Sequence, residues 1–210
     1  MPRVKEIEAA DAPDVAAMLT AGVVATAPGG HPSQMEGGAV AGAFPTITAP
    51  GEAEAWVAAR VSEGSDFIKI IYDDLSESRE QPLPTLAEDT LAALVKSTHA
   101  AGRIAVAHIG SERFARGAIG AGVDGLAHLF LGPAVSADFG QFAARRGVFV
   151  IPTLTVLYSY CGITDGPRFL KEADTMKHVK PQFRTLLEMP PPSSKRSCEA
   201  APQAIRQLLA

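Results

Sequence analysis

The sequence contains few of the features that define several large classes of protein. Its two cysteines are too few for a framework of disulfide bonds, so we expect Cys161 and Cys198 to be structural thiols in a reducing compartment. No apolar run approaches the roughly 20 residues that cross a bilayer, and the N-terminus lacks the apolar stretch of a signal peptide. The net charge of −4 gives no basic excess for nucleic acid or an anionic membrane. These absences favour a cytoplasmic globular protein that binds neither nucleic acid nor membrane.

Short apolar segments alternate with amphipathic helical segments along most of the chain. The pattern predicts an α/β fold with about five parallel strands and outer helices. The predicted strands cover residues 23–26, 66–72, 104–108, 123–128 and 148–153. A doubly wound sheet and a (β/α) barrel share this pattern. No G-x-G-x-x-G sequence follows the first strand, which weakens the case for a dinucleotide-binding protein.

The same reading divides the chain into regular and irregular parts. We expect one domain over residues 1–210, with an irregular excursion at 33–50 and a loop rich in proline and serine at 190–195. Helices are predicted from Asp11, over 52–63, from a capping box of Thr85 and Glu88, and from an N-cap at Ser111. Later helices are predicted near 136–146, over 167–178, and from about residue 195 to the end.

Three polar residues occupy strands or strand ends that are otherwise apolar. Lys69 lies between two isoleucines, while His108 and His128 each end a strand. A single histidine of this kind is explained well by a structural hydrogen bond. A lysine within an apolar strand is costly to bury unless it is paired, neutral or modified. In a barrel, the carboxyl ends of successive strands converge on one mouth, so three such residues on successive units indicate a site.

Four segments together resemble the amidohydrolase superfamily, in the branch of imidazolonepropionases and prolidase-type dipeptidases. They are residues 29–32, 67–72, 105–110 and 125–129. The resemblance implies a partial (β/α) TIM-type barrel and a divalent metal, most simply zinc. It also implies that Lys69 is carboxylated and bridges the metals, and that His108 and His128 are metal ligands. The implied reaction is hydrolysis of a C–N bond in an amide, dipeptide or cyclic amide by metal-activated water.

Two further residues are candidates for contacting the substrate. His31 lies in the loop after the first strand, where it is expected to meet the substrate's carbonyl or carboxylate. Its alternative is a solvent-facing loop residue. Tyr72 follows Lys69 by three positions and therefore points to the opposite face of the strand, which makes it the weaker candidate. Asp73 and Asp74 are interpreted as loop caps.

The chain also departs from the family pattern. It has no His-x-His in its first strand and no aspartate ending a last strand, and a closed eight-stranded barrel takes about 250 residues. We therefore expect an internal segment that lacks the first and last barrel strands and holds at most one metal. The alternative is a catalytically inactive fragment or pseudoenzyme that needs a partner chain. Open barrel edges would favour self-association.

Overall fold

A parallel four-stranded sheet organises the chain. The computed structural model describes residues 18–33, 45–188 and 196–210. The strands are β1 (Ile68–Ile71), β2 (Ala105–His108), β3 (Gly125–Ala127) and β4 (Phe149–Ile151), and they lie side by side in chain order. In a doubly wound sheet the strand order reverses at a switch point. The unbroken order is that of a (β/α) barrel segment and confirms the predicted fold class.

The first predicted strand is reduced to a single bridge beside β1. Ala25 pairs in parallel with Ile70, through hydrogen bonds from Ala25 N to Lys69 O (2.9 Å) and from Ile71 N to Ala25 O (2.8 Å). The bridge keeps residue 25 next to β1, as the predicted order requires. It therefore places the loop that carries His31 at the carboxyl end of the sheet.

Helices connect the strands as predicted. They are α1 (Ala53–Ser62), which follows a 3-10 turn at Pro50–Glu52, then α2 (Glu88–Ala100), α3 (Glu112–Ala121) and α4 (Phe139–Arg145). Ser111 caps α3, since its side chain accepts a hydrogen bond from Phe114 N, and Gly122 ends α3 with φ of 91°. The capping box predicted for α2 is wrong: Ala87 is the N-cap residue, and the buried Thr85 hydroxyl has no hydrogen-bond partner in the part of the chain that the structure describes.

The two faces of the sheet have different surroundings. The face toward the helices carries fully buried side chains, namely Ile68, Ile70, Ala105, Ala107 and Leu126. Residues paired in register share a face, so the other face carries Lys69, Ile71, Val106, His108, Gly125, Ala127, Phe149 and Ile151. This second face corresponds to the inside of a barrel. It becomes exposed toward β4, where Phe149 is 43% and Ile151 48% exposed.

The region after β4 is helical but shorter in its elements than predicted. It contains α5 (Leu154–Tyr160), α6 (Gly166–Phe169), α7 (Ala173–Met176), α8 (Pro181–Glu188) and α9 (Ala200–Leu208). The helix predicted over 167–178 is thus split in two, and the last helix begins at Ala200. Within the ranges above, no helix is long and apolar enough to cross a lipid bilayer. The helix predicted from Asp11, most of the 33–50 excursion and the loop at 190–195 lie outside the described residues.

A disulfide bond corrects the prediction for the cysteines. Cys161 follows α5 and Cys198 precedes α9, and the two form a disulfide with their Cα atoms 6.2 Å apart. The expectation of structural thiols is therefore wrong. The pairing also removes the reason for assigning the chain to a reducing compartment.

Candidate active site

Three histidine rings meet at the carboxyl end of the sheet. The ring centroid of His108 lies 4.9 Å from that of His31 and 4.6 Å from that of His128. His108 ends β2, His128 directly follows β3, and His31 lies in the loop after the Ala25 bridge. Thr26 anchors this loop, because its hydroxyl donates to the carbonyl oxygen of His31 at 2.6 Å. The structure thus brings together all three histidines predicted from the sequence.

An unusual backbone conformation turns His128 toward the site. Ala127 is the register partner of His108, so regular alternation would direct the next side chain toward the helices. His128 instead has φ of 79°, in the left-handed region that few residues other than glycine adopt. Its Nδ1 lies 2.6 Å from the hydroxyl of Thr153, whose own φ is 45°. Two such residues in contact are typical of a functional site, where strain is held by the surrounding structure.

The surroundings of His128 favour its neutral form. Burial lowers the pKa of His128 to about 4, and positive charge on His108, Lys69 and His31 lowers it in the same direction. His128 is therefore an uncharged imidazole at neutral pH. Since the hydrogen bond to Thr153 occupies Nδ1, Nε2 is the nitrogen available to bind a metal or a substrate.

Lys69 is half-buried and has no acidic partner among the described residues. It lies in β1 opposite Val106, while Ile71 is opposite His108, so Lys69 is one inward position deeper than the histidines. Burial lowers the pKa of Lys69 to about 8. Its amino group makes no ion pair or hydrogen bond with any residue in the described ranges. A pKa of about 8 leaves roughly one tenth of the Lys69 amine neutral at pH 7, far more than for an ordinary lysine.

Asp73 is a site residue that sequence reasoning missed. It continues the alternation of Lys69 and Ile71 beyond the end of β1, and that spacing is the signal by which it can be found. Its side chain is only 2% exposed, and its Oδ2 lies 3.5 Å from His108 Nε2. The other oxygen, Oδ1, accepts a hydrogen bond from Leu75 N at 3.2 Å. One oxygen of Asp73 therefore caps the loop, as interpreted from the sequence, while the other lies beside His108.

The three histidines and Asp73 line a cavity of about 190 Å³, whereas Lys69 is not among its lining residues. Drug-sized ligands typically occupy pockets of about 300–1,000 Å³, so this cavity suits a small molecule or one part of it. The polar part of the lining consists of the three histidines, Asp73, Glu77 and Ser78. The apolar part comes largely from α5 and the segment after His128, with Leu129, Leu131, Val156, Leu157 and Tyr160.

The structure does not bring Tyr72 to this cavity. Tyr72 is 5% exposed and faces α3, where its ring meets that of Phe114 edge to face at 5.1 Å. Gly117 allows this close approach, because a Cβ atom there would lie 2.9 Å from the ring. Alternation explains the result, since Tyr72 directly follows the inward-facing Ile71.

The donor groups of the site fit a divalent metal in kind. Two imidazoles, a buried carboxyl and a lysine are groups from which zinc sites are built, the lysine only after carboxylation. Over residues 18–33, 45–188 and 196–210, however, no group of three or more His, Cys, Asp or Glu residues is arranged as a finished metal cluster. A metal bound by these groups would therefore require the side chains to move.

Sequence comparisons find relatives of this chain whose function is not described. No protein-family model matches the chain. Uncharacterized proteins of Mycobacterium bovis and Mycobacterium tuberculosis are 29% identical to it over 109 residues, which is 52% of this chain and 29% of each relative.

Solved structures match over a longer part of the chain. A Xaa-Pro dipeptidase with bound methionine matches with a TM-score of 0.57 at 20% identity, over 96% of this chain and 47% of its own. A prolidase complexed with N-methylphosphonate-L-proline matches with a TM-score of 0.60 at 18% identity, over 97% of this chain and 46% of its own. An amidohydrolase matches with a TM-score of 0.60 at 18% identity, over 80% of this chain and 43% of its own. The chain therefore has the fold of amidohydrolase- and prolidase-type proteins, as the resemblance predicted. It spans less than half the length of these structures.

Proposed function

We propose that the protein belongs to a metal-dependent amidohydrolase that cleaves a C–N bond in a small amide, dipeptide or cyclic amide. The observation that supports this most strongly is the convergence of His31, His108 and His128 near Lys69, whose amino group has no ion pair within the described ranges. Lys69 and His108 lie in neighbouring parallel strands of an amidohydrolase-type fold, His128 directly follows the next strand, and His31 lies in a loop beside β1. Functional groups of such barrels lie at the carboxyl ends of the strands.

The metal would be held by His108, His128 and Lys69. Both histidines offer imidazole nitrogens, and neutral His128 is already in the form that binds metals. Lys69 would contribute an oxygen after its neutral amine reacts with CO2 to form a carbamate, and its pKa of about 8 favours that amine. A divalent metal, for which we propose zinc, supplies Lewis acidity toward the amide carbonyl and lowers the pKa of water to about 7.

The remaining residues would bind and orient the substrate. His31 flanks His108 on the side of the loop, where its ring would donate a hydrogen bond to a substrate carbonyl or carboxylate. Leu157 and Tyr160 would pack against an apolar substituent and exclude water from that side of the cavity. The names of two structural neighbours make dipeptides ending in proline the first substrates to test.

Hydrolysis of a defined panel tests the proposed function. The panel contains Xaa-Pro dipeptides, N-acetyl amino acids and a hydantoin, each with zinc or manganese and bicarbonate, and free amine is measured. We expect metal-dependent release from at least one class, and a loss of roughly 100-fold or more in His108→Ala. His178→Ala is the matched control, since His178 is exposed and lies after α7. Absence of release throughout, or full activity of His108→Ala, would refute the proposal.

The exposed end of the sheet favours a second candidate, a chain that acts only with a partner chain. Phe149 and Ile151 present apolar side chains on the face that is interior in a closed barrel. No strand of the described ranges pairs with the outer edge of β4. A second copy would cover both, so light scattering should then give a mass of two chains. Turnover by a monomer would exclude this alternative.

A further inference from the structure

Helix α5 covers one side of the histidine cavity although little of the helix is buried. Val156, Leu157 and Tyr160 of this helix line the cavity. Leu157 is the one buried residue among the seven of α5, all of which the structure describes, whereas Val156 is 50% and Tyr160 40% exposed. Elements that bury few apolar side chains open at a low cost in free energy. α5 is therefore the part of the cavity wall that moves away most easily.

The backbone is irregular at both ends of α5. Thr153 precedes the helix with φ of 45°, and Gly162 follows Cys161 with φ of 79°. Residues at the ends of an element are those that absorb the backbone change when a lid moves. The hydroxyl of Thr153 holds the amino end of α5 to His128, at 2.6 Å from Nδ1. The carboxyl end continues into Cys161, which the disulfide joins to Cys198.

Cys198 belongs to a segment that is fixed to the main core. The carbonyl oxygen of Ser197 accepts a hydrogen bond from Gly132 N, and that of Gly132 accepts one from Ala200 N, both at 2.9 Å. Ala200 is completely buried. The Cys198 sulfur also lies 3.2 Å from the carbonyl oxygen of Leu157, within α5. The disulfide therefore joins the carboxyl end of a weakly packed helix to a rigid part of the fold.

We infer that α5 is a lid over the three histidines and that the Cys161–Cys198 disulfide keeps it closed. Both cysteines are half-buried, so a reductant has access to the bond. A dithiol would pass two electrons and two protons to the disulfide, which yields two protein thiols and the disulfide of the reductant. α5 would then move about Thr153 and open the cavity. This control involves neither metal nor substrate, so it stands or falls separately from the proposed function.

Chemical modification of histidines tests whether the lid opens. Diethyl pyrocarbonate acylates accessible neutral imidazoles, and mass spectrometry of peptides gives a rate for each histidine. The untreated full chain is compared with the chain reduced by dithiothreitol and blocked with N-ethylmaleimide. The side chain of His108 is 16% exposed, and its rate should rise roughly tenfold on reduction. His99, 44% exposed and next to Asp124 at the amino end of β3, is the internal control and should keep its rate.

Two further measurements separate opening of the lid from other effects of reduction. The double variant Cys161→Ser, Cys198→Ser carries no blocking group and should react like the reduced protein. Hydrogen exchange should become faster in α5 of both samples and stay unchanged in α2.

Three results would overturn the inference. The first is an equal rate for His108 before and after reduction. The second is an equal acceleration of His108 and His99, which would mean that the whole fold loosens. The third is two free thiols in the untreated chain.

Discussion

Removal of the Cys161–Cys198 disulfide should destabilise the protein strongly. The bond joins residues 37 positions apart and ties the end of α5 to the start of α9. α5 forms one wall of the cavity, through Leu157 and Tyr160. The perturbation is either reduction with a phosphine or the double variant Cys161→Ser, Cys198→Ser.

The length of the closed loop sets the magnitude. In the chain-entropy model, cross-linking a loop of this length removes about 4 kcal/mol of conformational freedom from the unfolded state. With a urea dependence of about 2 kcal/mol per molar, the unfolding midpoint should fall by about 2 M. The loss is large beside a total stability of about 5–15 kcal/mol.

Tryptophan fluorescence during urea unfolding measures this shift. Trp56 is the only tryptophan, is buried in α1 and lies far along the chain from both cysteines, so it reports loss of the main core. The reductant should leave the double variant unchanged, which controls for other effects of the reagent. A midpoint shift below about 0.5 M, or two thiols titrating in the native unreduced protein, would refute the reasoning.

Three further predictions concern single residues. The pKa of His128 lies at about 4 instead of 6.5, so the unfolded chain takes up the proton first as the pH falls; stability is full above pH 6.5 and should drop by roughly 2 kcal/mol by pH 4, after allowing for solvent screening. The free energy of unfolding in urea, measured at several pH values, should fall with pH in the wild type, and His128→Asn should remove this decrease. Equal decreases in the two proteins would contradict this pKa. Thr153→Val removes the hydroxyl bonded to His128 and should weaken metal binding by about 10–100-fold, whereas Thr153→Ser keeps a hydroxyl and should bind the metal like the wild type. Calorimetric titration with zinc measures this affinity, and equal affinities of the two variants would contradict the prediction. Tyr72→Ala should lose about 3–5 kcal/mol of stability through the contact with Phe114, and Tyr72→Phe much less. If thermal unfolding shows Tyr72→Phe to be less stable than Tyr72→Ala, the result would argue for a role of the Tyr72 hydroxyl instead.

Periodicity made the regular part of the fold predictable. Apolar runs of strand length located β1 to β4, and glycines such as Gly122 marked the ends of helices, because these signals are local. Only one residue of the strand predicted at 23–26 forms a β-bridge, since its pairing depends on neighbours that the local sequence does not describe. The capping box at Thr85 failed because the chain stays extended to Ala87 before the helix begins.

The site was predictable where residues follow strands and less so where the backbone departs from regular geometry. Lys69 and His108 follow directly from the alternation of β1 and β2. His128 reaches the cavity only through its left-handed backbone, which no sequence pattern specifies. Asp73 was accessible by extending the alternation past the end of β1. The disulfide could not be predicted, because a separation of 37 residues gives no information on distance.

A crystal grown with zinc and measured at the zinc absorption edge tests most directly whether the histidine cluster is a metal site. We predict an anomalous peak within bonding distance of imidazole nitrogens of both His108 and His128. A peak bonded only to residues outside the cavity, or no peak at saturating zinc, would contradict the proposed metal-dependent function.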